Sequence, residues 1–193
     1  MYDYIEGDVT EKTPTHAVLE TGGIGYLVNI SLNTYTGMGD LKRIRLYIHQ
    51  VVREDALILF GFCERSEREI FRQLISVSGI GANTARLILS SVGPLEIQQA
   101  INEENVAVLN SIKGIGAKTA QRIIVDLKGK LGAVSGESQI FQAKSNTNRE
   151  EALSALVNLG FSKNSVEKII DRVLRETEDP GLEELIKEAL ARL

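Results

Sequence analysis

The sequence predicts an α+β chain in three parts: a small β-barrel, a helical domain and a separate three-helix bundle. Three observations carry this. Short β-prone runs fill the first 62 residues, the apolar period turns helical from Glu64, and a stretch of small polar residues sets off the last 46.

The runs Tyr2 to Val9, His16 to Glu20, Tyr26 to Ile30, Arg43 to His49 and Leu57 to Phe62 are rich in β-branched, aromatic and aliphatic residues. Turn-forming stretches separate them: Thr13-Pro14, Thr21-Gly22-Gly23, Gly37-Met38-Gly39-Asp40 and Arg53-Glu54-Asp55. In the fourth run Ile44, Leu46 and Ile48 alternate with Arg45, Tyr47 and His49, so one face is buried and the other wet. Five strands in so short a span suggest a closed barrel of the OB type over residues 1–63. An open meander sheet is the alternative.

Residues 64–131 read as helices. Ser66-Glu67-Arg68-Glu69 has the form of a capping box, followed by an apolar stripe of Ile70, Phe71, Leu74 and Ile75. Breaks fall at Gly79, Gly93-Pro94 and Gly114. Residues 132–147 lack a period and suit a flexible linker. Residues 148–193 then give three short amphipathic helices, near the lower size limit for independent folding. A tethered module of this kind suits partner binding.

Bulk composition bounds the function. No apolar run approaches the length of a membrane span, and the acidic N-terminus lacks a signal-peptide core, so a cytoplasmic location is expected. The single cysteine, Cys63, reads as a small packed hydrophobe. The net charge of −4 conceals a gradient: residues 64–131 hold 9 Lys and Arg against 7 Asp and Glu, and the flanking parts are acidic. That balance permits a nucleic-acid partner without demonstrating one.

The strongest signal is a repeat. Val77-Ser78-Gly79-Ile80-Gly81-Ala82-Asn83-Thr84-Ala85 returns 35 residues later as Ile112-Lys113-Gly114-Ile115-Gly116-Ala117-Lys118-Thr119-Ala120. One copy alone would be a tight turn between helices; two copies with Thr-Ala at the same offset argue for a duplicated binding motif. Gly79 and Gly114 suit a left-handed helix end, and Ile80 and Ile115 suit anchors in the core. Gly81 and Gly116 allow a sharp turn and leave no side chain between amide and ligand. The small Ala82 and Ala117 keep the approach clear. The helix that follows each copy offers unpaired N–H groups and the positive end of its dipole, a site for one phosphate. Lys118 and Arg122 can add charge-assisted contacts. Neither copy follows a clear strand and no Gly-Lys-Ser/Thr is present, so a nucleotide-binding loop fits poorly. Two such hairpins would hold DNA by its backbone, independently of sequence and with a steep salt dependence.

The order of these parts resembles the RuvA family. The resemblance rests on Gly23-Ile24-Gly25-Tyr26, on Val51-Val52-Arg53-Glu54-Asp55-Ala56 leading to Leu59-Phe60-Gly61-Phe62, on the paired hairpins, and on Glu151-Ala152-Leu153 with Leu159-Gly160-Phe161. It implies a platform of four subunits, or eight when two plates enclose the DNA, on which a Holliday junction lies open during recombination and repair. It also implies that Glu54 and Asp55 form an acidic pin at the crossover, with Arg53 beside them holding a phosphate. The tail, similar to ubiquitin-associated domains, would dock on the hexameric ATPase RuvB through residues such as Leu156, Leu159, Gly160, Phe161 and Ile170. RuvC, a resolving nuclease, would be a further partner. The family often has basic residues where this chain has Asn83 and Ala117. Amide contacts survive both changes; either affinity per subunit is lower or other Lys and Arg residues compensate.

Two other readings compete. An enzyme would need clustered carboxylates or a nucleophile–base pair, whereas His16 and His49 lie far apart and the acids are scattered. No metal, cofactor or catalytic residue is therefore expected. An adaptor using barrel and tail for protein contacts alone is the second alternative, and gel shifts with junction DNA separate it from a DNA-binding protein.

Overall fold

The computed structural model describes residues 1–129, 144–177 and 180–193. They form two compact units, one ending and the next beginning between Gly129 and Lys144.

The first unit opens with a closed barrel. Its strands are β1 (Tyr4–Lys12), β2 (His16–Thr21), β3 (Ile24–Ile30), β4 (Arg43–Val52) and β5 (Leu57–Phe62). The order around the barrel is β1-β2-β3-β5-β4, with β3 and β5 parallel and β1 closing on β4. This is the predicted OB-type arrangement. Alternation puts Ile5, Leu19, Val28, Ile30, Leu46 and Ile48 inside.

Between β3 and β4 lies a short helix the sequence reading lacked, α1 (Leu32–Gly37). Ser31 caps it, accepting from the Thr34 N–H at 2.9 Å.

Helices α2 (Arg65–Ser76), α3 (Ala82–Ser91), α4 (Pro94–Asn102), α5 (Val106–Asn110) and α6 (Ala117–Leu127) complete the unit. Phe60 and Phe62, on the outside of β5, belong to the helical core, where both rings pack on Phe71. Barrel and helices thus share apolar packing across residue 63. His49 is a correction: its ring also packs on Phe71, with centroids 5.3 Å apart, so α2 covers this part of the expected wet face. Burial and the guanidinium groups of Arg72 and Arg68 lower its pKa.

The capping box does not form. The N-cap is Glu64, with no side-chain bond, because the helix starts at Arg65 and carries Ser66 past the capping position. Glu69 instead pairs with Arg72 at 2.8 Å. Glu67 turns inward, almost fully buried, and accepts hydrogen bonds from the Ser31 and Thr34 hydroxyls. Burial raises its pKa while those bonds oppose the shift. A buried carboxyl therefore joins α1 to α2. Arg86 of α3 adds a second joint, donating to the Thr15 carbonyl oxygen at 2.9 Å and to Asn29 Oδ1 at 3.3 Å.

The second unit holds α7 (Lys144–Asn158), α8 (Lys163–Glu176) and α9 (Leu182–Leu190) around Ala152, Leu156, Val166, Ile170, Val173, Leu185 and Ala189. Helix α7 begins inside the stretch 132–147 read as a linker, so residues 144–147 are helical. The earlier part of that stretch lies outside the described residues. Among the described residues, no helix is long and apolar enough to cross a membrane.

Candidate nucleic-acid interface

The two repeats fold alike to within a few degrees. Gly79 and Gly114 take φ of 91° and 90°, a left-handed conformation that glycine adopts without steric cost. The next N–H closes the same turn in each copy: Ile80 donates to Val77 O and Ile115 to Ile112 O, both at 3.0 Å. Ile80 and Ile115 are buried, as anchors should be.

Gly81 and Gly116 differ from the expectation. Their φ values of −87° and −83° are open to any residue, so the turn does not require glycine there. A Cβ at either would meet nothing within 4 Å. What glycine supplies is clearance outside the backbone, where a ligand would approach.

Both residues are N-caps without a side-chain hydrogen bond. The first intrahelical bonds are Ala85 N–H to Gly81 O and Ala120 N–H to Gly116 O, each 2.9 Å. The preceding N–H groups, on Ala82, Asn83 and Thr84 in one copy and Ala117, Lys118 and Thr119 in the other, thus begin helices with their dipole ends open. Asn83, Ala117 and Lys118 are exposed, and Thr84 and Thr119 half-buried. Ala82 is buried, so its methyl packs into the core and only its amide is available.

Arg122, expected to add a charge-assisted contact, is exposed and has a partner within the protein. Its guanidinium donates to the Ser78 carbonyl oxygen at 3.2 Å, linking the second hairpin's helix to the first hairpin. The free cations are Lys118 and Lys113; both are exposed and make no ion pair among the described residues. Lys113 was passed over in the sequence, although its place just before Gly114 could have marked it.

At one end of the barrel, β4 and β5 join through a four-residue loop, Arg53 to Ala56, closed by the Arg53 N–H on the Ala56 carbonyl oxygen at 2.8 Å. The side chains of Arg53, Glu54 and Asp55 are exposed. Nothing among the described residues neutralises the two carboxylates. Among those residues, no group of three or more His, Cys, Asp or Glu could hold a metal ion.

The tail divides its predicted contact residues. Leu156 and Ile170 are fully buried and build the bundle, so they offer no surface to a partner. Leu159 is 63% exposed and Gly160, with φ of 100°, is exposed beside half-buried Phe161.

An OB-type barrel with an acidic hairpin tip, followed by two matched hairpins, defines a tandem helix-hairpin-helix protein with helix N-termini open to anions. Residues 1–61 match the family described as RuvA N terminal domain, residues 71–129 the SAM-like helix-hairpin-helix tandem, and residues 147–193 the RuvA C-terminal domain. The chain belongs to the RuvA family. It is 49% identical over 193 residues to the Holliday junction branch migration complex subunit RuvA of Christiangramia forsetii, and 47% to that of Flavobacterium psychrophilum. Its identity to the subunit of Bacteroides thetaiotaomicron is 45% over 201 aligned positions, and in all three cases both chains are covered in full.

Proposed function

We propose that this protein is the DNA-holding subunit of a branch migration complex, binding four-way junctions by structure rather than by sequence. The observation that carries this is the pair of hairpins with matched backbone conformation and open helix N-termini. Each hairpin holds one phosphate through main-chain amides, so a pair grips one duplex arm at two points. Amides at that position read no bases. Lys118 and Lys113 strengthen the grip.

Four copies form a plate, and two plates enclose the junction as an octamer. Their Glu54 and Asp55 tips converge on the crossover, where the carboxylates repel phosphates and keep the arms apart. Arg53 beside them holds a neighbouring phosphate. The domain organisation follows: residues 1–63 carry the pin, 64–131 the DNA grips, and 148–193 dock on RuvB, which hydrolyses ATP. This chain then needs no reaction, metal or cofactor of its own. RuvC acts on the same cytoplasmic complex.

A mass measurement on the full-length protein, with and without four-way junction DNA, tests the assembly. Four or eight copies per junction are expected; one copy per junction would sink the plate.

A further inference from the structure

The barrel end that carries the acidic tip is apolar. On β4, Gln50 and Val52 continue the inward alternation of buried Leu46 and Ile48. Leu57 pairs with Val52 across the hairpin, and Ile24 and Tyr26 extend the inward face of Val28 and Ile30 on β3. At this end Gln50 and Tyr26 are half-buried, and the other three are open to solvent. Val52 and Leu57 are each 68% exposed and Ile24 56%. The Tyr2 ring stands edge-on to Tyr26, with centroids 6.1 Å apart.

We infer that this rim receives the bases freed at the crossover, next to the tip that turns their phosphates away. The inference rests on the junction reading above. Charge selects the occupant. Glu54 and Asp55 lie two residues beyond Val52 and Leu57 respectively, so a phosphate is repelled where a neutral base face is not. Size points the same way. A base offers a flat face of suitable size, and aromatic side chains bind such faces without regard to sequence. The hairpin then parts strands in two ways at once, repelling backbones at its tip and sheltering bases along its flank.

The test uses the full chain with Tyr2→Ser and Leu57→Ser combined, both at exposed positions. Affinity for a four-way junction should fall about fivefold to tenfold, the order expected for one or two base contacts. Affinity for linear duplex, which has no freed bases, should stay within about twofold, and the mass without DNA should not change. In wild-type protein, 2-aminopurine at the crossover should brighten on binding, and the variant should diminish that rise. A changed mass without DNA would assign the rim to contacts between copies and overturn the inference. An unchanged junction affinity, or an equal loss on duplex, would also overturn it. If wild-type protein itself shows no preference for junctions, the functional reading falls together with the inference; if only the variant fails to respond, the inference falls alone.

Discussion

The guanidinium of Arg122 donates to the carbonyl oxygen of Ser78 at 3.2 Å, so the helix after the second hairpin is tied to the loop of the first. The hairpins repeat one geometry, and this bond crosses between them. It makes Arg122 a brace on their spacing, whereas exposed Lys118 projects from a helix start.

The two cations should therefore separate in a salt titration. Lys118→Ala removes a proposed phosphate contact and should reduce the slope of log affinity against log salt by about one. Arg122→Ala should weaken duplex binding with little change in slope, because the loss lies in the spacing of the grips. Equal slope changes would make Arg122 a phosphate ligand after all.

The two glycines of the first hairpin should differ in kind. Gly79→Ala forces a side chain to φ of 91° and should cost about 1 kcal/mol or more in unfolding free energy. Gly81→Ala, at φ of −87° with open space around it, should leave stability within about 0.5 kcal/mol yet weaken DNA binding. Chemical denaturation beside an anisotropy titration measures both.

Glu67 should make its mark through pH. Burial raises its pKa above the usual carboxylate value, so the folded state holds this proton more tightly than the unfolded chain. The stability it contributes is greatest when protonated and declines as pH rises from that usual value through the raised one. Glu67→Gln abolishes this decline, so the variant should gain on wild type as pH rises across the window. Glu67→Ala leaves the Ser31 and Thr34 hydroxyls without their acceptor and opens a cavity, and should cost about 2–4 kcal/mol. Denaturation midpoints taken from acidic to mildly alkaline pH check both signs.

In the tail, Leu159→Ser and Leu156→Ser should behave oppositely. Leu159 is on the surface, so its change should leave the bundle folded and, on the proposed docking, reduce stimulation of the ATPase. Leu156 is buried, and a serine there should cost about 2–4 kcal/mol, enough to unfold so small a unit. Circular dichroism melts and an ATPase assay distinguish the two.

Much of the fold was legible in the sequence, because strand alternation and helical period are local signals. Helix α1 was not. Leu32-Asn33-Thr34-Tyr35-Thr36 is poor in helix formers, and the helix is held by the Ser31 cap and by Glu67 from 33 residues beyond Thr34. The same distant contact defeated the capping box, since a carboxyl drawn into the joint belongs to no local motif. The hairpins were readable because their glycines and isoleucines act within a few residues. The contact of Arg122 with Ser78 was not legible, because the two lie 44 residues apart. Leu156 and Ile170 lie on the apolar faces of α7 and α8, whereas Leu159, Gly160 and Phe161 fall in the turn between those helices.

The central claim is that paired amide grips and a repelling tip hold an open junction. Competition of a labelled four-way junction by linear duplex of equal length and unrelated sequence, at one fixed salt concentration, tests it most directly. The account predicts that the junction is bound tighter by at least about tenfold, a difference of about 1.4 kcal/mol, whatever its arm sequences. Glu54→Gln with Asp55→Asn should narrow that margin while keeping or strengthening binding to duplex. Equal affinity of the wild-type protein for junction and duplex would contradict the account.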